Sequence, residues 1–548
     1  MTEKKFWHTQ GLLMLGMALL IALPYILYTF RSEYQGMVPF RTNDDGFYMG
    51  RLDAVLEGRF SEFQNGITGS EAGVAPAFLE LFFGSLFSWT GLHGPELSIL
   101  LTIFIAPLTI PLTTSLLRAS GANYKLSLLW AASYTFAFLG PLQRPIYMSL
   151  ALPMAFAALL ALVRTWEAPR IPSIALTAFL IGILPGVYFW DFSFVFAVAG
   201  WFLLLHFILL PKSEWKSERS KALLLSAGLT LLVSAPIFLK LFAASSAYPF
   251  SLEVTLRNQV VFTRMIESLP RNILLTVLTL CSLLLFLSLQ KNEEKVRVSI
   301  LPLALVLGAW TVMHQNLFHG VLLSFSSHYY PFVCLAMVAA SAWSLNHSLR
   351  SGTGQALNPL LLFFRFGIVG ITAVFLVLGA WDYRLTWSLP FASREHLTFQ
   401  HLAPVLRHLD DGTRENVLTD YRTAQMVTNW TDDDTVFTPY VRHLLLSNQE
   451  FAERYCLTEL SNPEGPDIAW IAWETLQIRA QDLLPKRMNE FQAVCDDFLT
   501  DLKGALEKYR VDYLLWNQRE RPTWKIDETL FTKVEEGESW SLWRLKEF

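Results

Sequence analysis

The sequence predicts a polytopic α-helical membrane protein carrying a C-terminal extracytoplasmic α/β domain, and three observations lead there. First, 53 % of its 548 residues are hydrophobic and only 16 % are charged, at a mean hydropathy of +0.35. Ordinary soluble domains are about a quarter charged. Second, apolar runs of near-spanning length follow one another up to residue 381, with charges confined to the gaps between them. Third, charges are spread throughout 382–548, a stretch long enough to bury a core of its own. The net charge of −4 gives no sign of nucleic-acid binding.

The apolar runs fall at about 11–30, 97–117, 126–143, 146–163, 173–190, 192–211, 222–239, 273–289, 298–313, 329–345 and 359–381. Lys4 and Lys5 precede the first run, which is as long as a full span and lacks a small-x-small cleavage pattern. It reads as a retained signal anchor. A twelfth stretch, FLELFFGSLFSW (78–89), is short and holds Glu80. The positive-inside rule decides whether it crosses. If it does not, Arg118, Lys125, Arg164, Arg170, Lys212, Lys216, Arg219, Lys221, Lys291, Lys295, Arg297 and Arg350 all fall in cytoplasmic gaps. If it does, that bias is inverted. The stretch is therefore expected to lie in or on the outer interface.

Eleven spans follow, with the N-terminus cytoplasmic and the C-terminal domain extracytoplasmic, as for a protein of a bacterial inner membrane. The domains read as 1–381 and 382–548. Residues 31–95 form a long first external loop, and 140–146, 243–271 and 314–328 are further external elements. In the tail, NVLTD, TVFTPY, DIAWIAW, VDYLLWN and SWSLWRL read as strands alternating with helices near 395–409, 441–454 and 487–509. Cys281 and Cys334 lie in apolar segments as core residues. Cys456 and Cys495 can pair if the tail faces an oxidising compartment.

The chemistry starts at TNDDGFYMGR (42–51), where the first run ends. Asp44 or Asp45 can serve as a general base toward a hydroxyl, or as a ligand for a hard divalent cation such as Mg or Mn. An Asp ahead of a helix is also a common cap, and Leu52, Val55 and Leu56 do share one helical face. A second polar stretch, HQNLFHGVLLSFSSHYYPF (314–332), places Gln315, Asn316, His319, Ser326, Ser327 and His328 at the end of apolar helices, followed by Tyr329. Such groups are costly to bury unless they line a wet or ligand-filled cavity. Third come the external cations Arg144, Arg257, Arg264 and Arg271. A phosphate leaving group needs such charge.

The stretch DDGFYMGRLDAVLEGRF resembles the first external loop of the GT-C superfamily of membrane glycosyltransferases, which use polyprenyl-phosphate-linked sugars. Asp45, Phe47, Tyr48 and Arg51 match the acid, aromatics and Arg of oligosaccharyltransferase catalytic subunits. Asp44 adds the paired acid of the protein O-mannosyltransferases. The stretch 314–332 is similar to the last external loop of bacterial members, whose polar and basic groups contact the carrier phosphate. GAWDYRLTW (379–387) has Trp381, Asp382 and Tyr383 where oligosaccharyltransferases have Trp-Trp-Asp-Tyr-Gly, without the first Trp or the Gly.

The resemblance implies an inverting glycosyltransferase acting on the outer face, with a glycan, lipid or protein acceptor. Asp44 and Asp45 would be catalytic, Asp45 alternatively a metal ligand. Tyr48, Arg51, Arg144, Arg257, Arg264, Gln315, Asn316, His328 and Tyr329 would bind substrate or carrier. The alternative reading is a non-enzymatic transporter, flippase or assembly factor of envelope glycans. Spans nearly free of charge and the absence of an internal repeat count against transport.

Overall fold

The computed structural model describes residues 3–38, 43–58, 78–142, 144, 146–247, 253, 257, 261–262, 269–289, 293–322, 326–350, 359–392, 399–438, 441, 446–476 and 481–547. Contacts divide the chain into two compact units. One comprises 1–23, 101–240 and 262–388, and the other comprises 24–100, 241–261 and 389–548. The division differs from the single cut after residue 381 read along the sequence. Residues 24–100 and 241–261 group with the C-terminal domain rather than with the helices that flank them.

The first unit is helical. Among the described residues six helices are long and apolar enough to cross a membrane: Lys5–Thr29, Gly94–Ala119, Tyr147–Glu167, Phe189–Leu209, Glu218–Lys240 and Val296–His319. Four shorter apolar helices, Ile171–Gly186, Asn272–Leu287, Tyr330–Asn346 and Leu362–Leu378, accompany them. This is an integral membrane protein, although the described helices do not establish the count of eleven spans. The 126–143 run forms the helix Tyr124–Ala137 followed by the single turn Leu139–Leu142. At 1.5 Å per residue, the 14-residue helix reaches only about 21 Å.

Leu15, Leu231, Leu232 and Phe363 are exposed on the outside of their helices, as lipid-facing side chains are. Inside, Phe194 stacks on Phe332 with ring centroids 4.5 Å apart. Gly308 has no room for a Cβ against Val198, so the helices Phe189–Leu209 and Glu293–His319 approach closely. Small residues permit such packing where both surroundings are apolar.

The second unit is built on a five-stranded sheet of β1 (Asn416–Leu418), β2 (Asp434–Thr435), β3 (Tyr513–Asn517), β4 (Phe531–Glu536) and β5 (Trp540–Leu545), in the order β2-β1-β3-β5-β4. β1 runs parallel to β2 and β3, while β5 is antiparallel to β3 and β4. Side chains alternate between two apolar layers. Val417 and Leu515 join one with Leu402, Val427 and Leu542, and Leu418 and Leu514 join the other with Leu506 and Trp543. Four of the expected strands contain or touch observed ones, but DIAWIAW is the helix Ile468–Glu474, capped by Asp467. Cys456 and Cys495 form a disulfide between the helices Asn448–Thr458 and Leu484–Thr500.

Candidate functional site

Each unit gathers part of the chemistry. In the helical unit the gathering point is the start of the helix Phe189–Leu209 and of the helix Tyr330–Arg350. Arg144 lies in the short turn before the π-helical segment Tyr147–Ala151. Between them Ile146 takes φ 64° and ψ −65°. That conformation is strained for a β-branched residue, and such strain is found where a turn is held for a purpose.

The π segment brings the Tyr147 ring to 4.5 Å from that of Tyr188. The Tyr188 hydroxyl lies 3.3 Å from Nδ1 of His328, and the Trp190 ring meets the His328 ring edge-on at 4.6 Å. Next to His328, the buried Tyr329 hydroxyl accepts from Nε2 of Gln315 at 3.1 Å and pairs with Oγ of Ser193 at 2.7 Å. Burial, reinforced by the charge of Arg144, pulls the His328 imidazole down to about 3. His328 is therefore neutral near pH 7, so Arg144 supplies the positive charge of this group.

Of the expected residues, Gln315 and Tyr329 share a hydrogen bond, His328 adjoins Tyr329, and the charge of Arg144 reaches His328. Asn316 is buried one residue beyond Gln315, and its carbonyl accepts from the Gly320 N–H that ends the helix. Tyr147, Tyr188 and Asp191 were missed. Asp191 is fully buried in the first turn of Phe189–Leu209, and neither carboxylate oxygen has a hydrogen-bond partner. Its signal was there to read, as an acid inside the apolar VYFWDFS.

In the second unit Asp44 and Asp45 open the helix Asn43–Leu56; their side chains lie outside the described ones. The rest of that helix is tightly placed. Met49 belongs to the apolar layer of Leu402, Val427 and Leu515. Gly50 faces the Thr428 carbonyl, where a Cβ would stand 3.3 Å away. The helix Phe78–Phe87, the expected interfacial element, is ten residues long and too short to cross. It packs on Asn43–Leu56 through Gly84, against Val55.

Arg51 is buried, 3.5 Å from the equally buried Glu80, and its guanidinium lies over Phe47. Asp53 accepts from the Gly94 N–H and sits 3.7 Å from His93, which also lies 3.8 Å from Asp410. The Asp53 carboxylate raises His93 to about 9 in spite of its burial, with the charges of Asp410 and Glu96 adding to the rise. Arg257 is buried too, donating to Oδ1 of Asn448 at 2.7 Å and to the Leu446 carbonyl at 2.6 Å. Arg51 and Arg257 therefore have protein partners of their own. Tyr48 is half-buried beside Phe47. Arg264 lies outside the described residues. Among those described, no three His, Cys, Asp or Glu side chains group as a metal site.

No protein-family model and no curated protein matches the chain. Solved structures do. The cryo-EM structure of the arabinofuranosyltransferase AftD from mycobacteria aligns at a TM-score of 0.51 and 14 % identity, over 97 % of this chain and 40 % of that one. The chain has the GT-C fold. It spans about two fifths of AftD. The crystal structure of ArnT from Cupriavidus metallidurans bound to undecaprenyl phosphate aligns at 0.47 and 12 % identity, over 96 % and 97 % of the two chains. At such identities a GT-C likeness speaks of architecture, and the chemistry rests on the residues described above.

Proposed function

We propose that this protein is an inverting membrane glycosyltransferase that moves a sugar from a polyprenyl-phosphate-linked donor to an acceptor hydroxyl on the extracytoplasmic face. The observation that carries the reading is the meeting of Arg144, His328, Tyr188, Gln315 and Tyr329 in a GT-C fold. A guanidinium beside neutral hydrogen-bonding groups suits an anion that must be held at an apolar boundary.

In the proposed step the acceptor oxygen attacks the anomeric carbon and the bond from that carbon to the phosphate oxygen breaks. The phosphate leaves with the bonding electrons, and Arg144 stabilises the charge that develops on it. Asp45, or Asp44, takes the acceptor proton. Alternatively, Asp45 holds a divalent cation, Mg or Mn. Asp44→Asn and Asp45→Asn, singly and together, are expected to abolish transfer from a polyprenyl-phosphate sugar while leaving the melting temperature unchanged. Full activity in both single variants and the double would overturn the assignment.

A second reading, movement of the lipid-linked sugar across the membrane, draws support from Asp191, a buried acid within an apolar helix. Donor binding without any transfer product would favour it.

A further inference from the structure

The C-terminal sheet has a feature that the proposed transfer step leaves unused. From β1 the chain passes through the helix Thr423–Trp430 to β2 on one side. It then returns through the helices between 448 and 508 to β3 on the other side of β1. β1, β2 and β3 are parallel, and the chain leaves β1 toward one edge of the sheet and β3 toward the other, so the carboxyl ends of β1 and β3 form a topological switch point. In open α/β sheets this is where ligands bind.

The residues at that place are polar and buried. Asp420 follows β1, and its Oδ1 accepts from the backbone N–H groups of Arg422 and Thr423, both at 3.0 Å, at the start of the helix. Its Oδ2 is buried with no partner, and so is Oγ1 of the adjacent Thr419. Asn517, the last residue of β3, is fully buried and donates to Oγ1 of Thr423 at 3.0 Å. At the rim Arg422 pairs with Glu520 at 3.4 Å beside the half-buried Tyr421.

The carboxylate already occupies the start of the helix, which disfavours an anion there. What is left over is one acceptor and one hydroxyl that can donate or accept. A vicinal diol offers the same pair in complement.

We infer that the switch point at Asp420, Thr419 and Asn517 is a binding site for a neutral carbohydrate, reached when the buried polar groups there open to it. For its place in the biology this rests on the proposed glycosyl transfer, since it would then hold a sugar acceptor; the binding itself does not. Burial raises the Asp420 carboxyl above its ordinary range, in keeping with a group that is completed by a hydroxyl ligand.

The test uses the full-length protein in detergent against an array of neutral oligosaccharides, followed by calorimetric titration of the tightest one. Wild type is expected to bind. Asp420→Asn is expected to weaken binding about tenfold or more, and Thr419→Val several-fold, because each removes one of the unpartnered groups. Thr419→Val is nearly isosteric and serves if Asp420→Asn, which touches a helix cap, fails to fold. Arg144→Ala is expected to bind the oligosaccharide as wild type does, so a failure of glycosyl transfer is told apart from a failure of this site. Absence of oligosaccharide binding by wild type, or unchanged binding in Thr419→Val, would overturn the inference.

Discussion

The polar group around His328 and the polar group around His93 are assembled in different ways. Around His328 the contacts are hydrogen bonds between neutral side chains, with a single guanidinium nearby. Around His93 and Arg51 they are ion pairs with carboxylates. Both imidazoles are partly buried, yet one is driven down to about 3 and the other up to about 9. Burial lowers both; at His328 it dominates and Arg144 adds to it, whereas at His93 the Asp53 carboxylate outweighs it. The two groups thus differ in what surrounds the imidazole: neutral hydrogen-bonding side chains and a guanidinium at His328, carboxylates at His93.

The largest expected effect tests the matched side. Arg51→Met leaves Glu80 buried without its ion-pair partner and should cost about 3–5 kcal/mol. Chemical denaturation in detergent would show it, and an unchanged midpoint would remove the claim that this pair holds the first loop in place. Arg144→Ala tests the guanidinium beside His328. Transfer should fall about 100-fold, or some 2.7 kcal/mol in transition-state stabilisation, with little change in melting temperature. A loss of stability instead would make Arg144 a structural residue.

Gly94→Ala comes next. An added methyl would run into the Met49 carbonyl and the Asp53 backbone, and overpacking of this kind costs about 1–3 kcal/mol. The smallest effect is His93→Gln. The folded His93 binds its proton more tightly than an unfolded histidine does, so its contribution is full below about pH 6.5 and fades as pH rises through about 9. Because its side chain is a third exposed, the difference between wild type and variant should stay under about 1 kcal/mol. Melting curves across that range that converge at high pH would support it; parallel curves would not.

Much of this was legible in the chain. The apolar runs located the helices, and Gln315, His328 and Tyr329 stand out in the sequence because polar groups at the ends of apolar runs are conspicuous. The strand assigned to DIAWIAW failed for a physical reason. A short run of Ile, Ala and Trp fits both periodicities, and the deciding signal was Asp467, whose carboxylate accepts from the Trp470 N–H and starts a helix. β4 was overlooked because FTKVEE is an exposed, charged edge strand with little apolar alternation. The partners of Arg51 and Arg257 could not be read, since Glu80 and Asn448 are remote in sequence and nothing local announces such pairings.

The packing of Asn43–Leu56 against residues beyond 400 has a consequence for biosynthesis. Met49 and Gly50 are made early, whereas Leu402, Thr428 and Leu515, on which they rest, are made late. One face of that helix can pack early on Phe78–Phe87, but the face carrying Met49 and Gly50 stays uncovered until translation is nearly complete. A chain cut short anywhere before the final sheet should insert its helices and yet leave the Met49 face of this helix uncovered, so premature termination should yield a membrane-bound product open to proteolysis near residue 50.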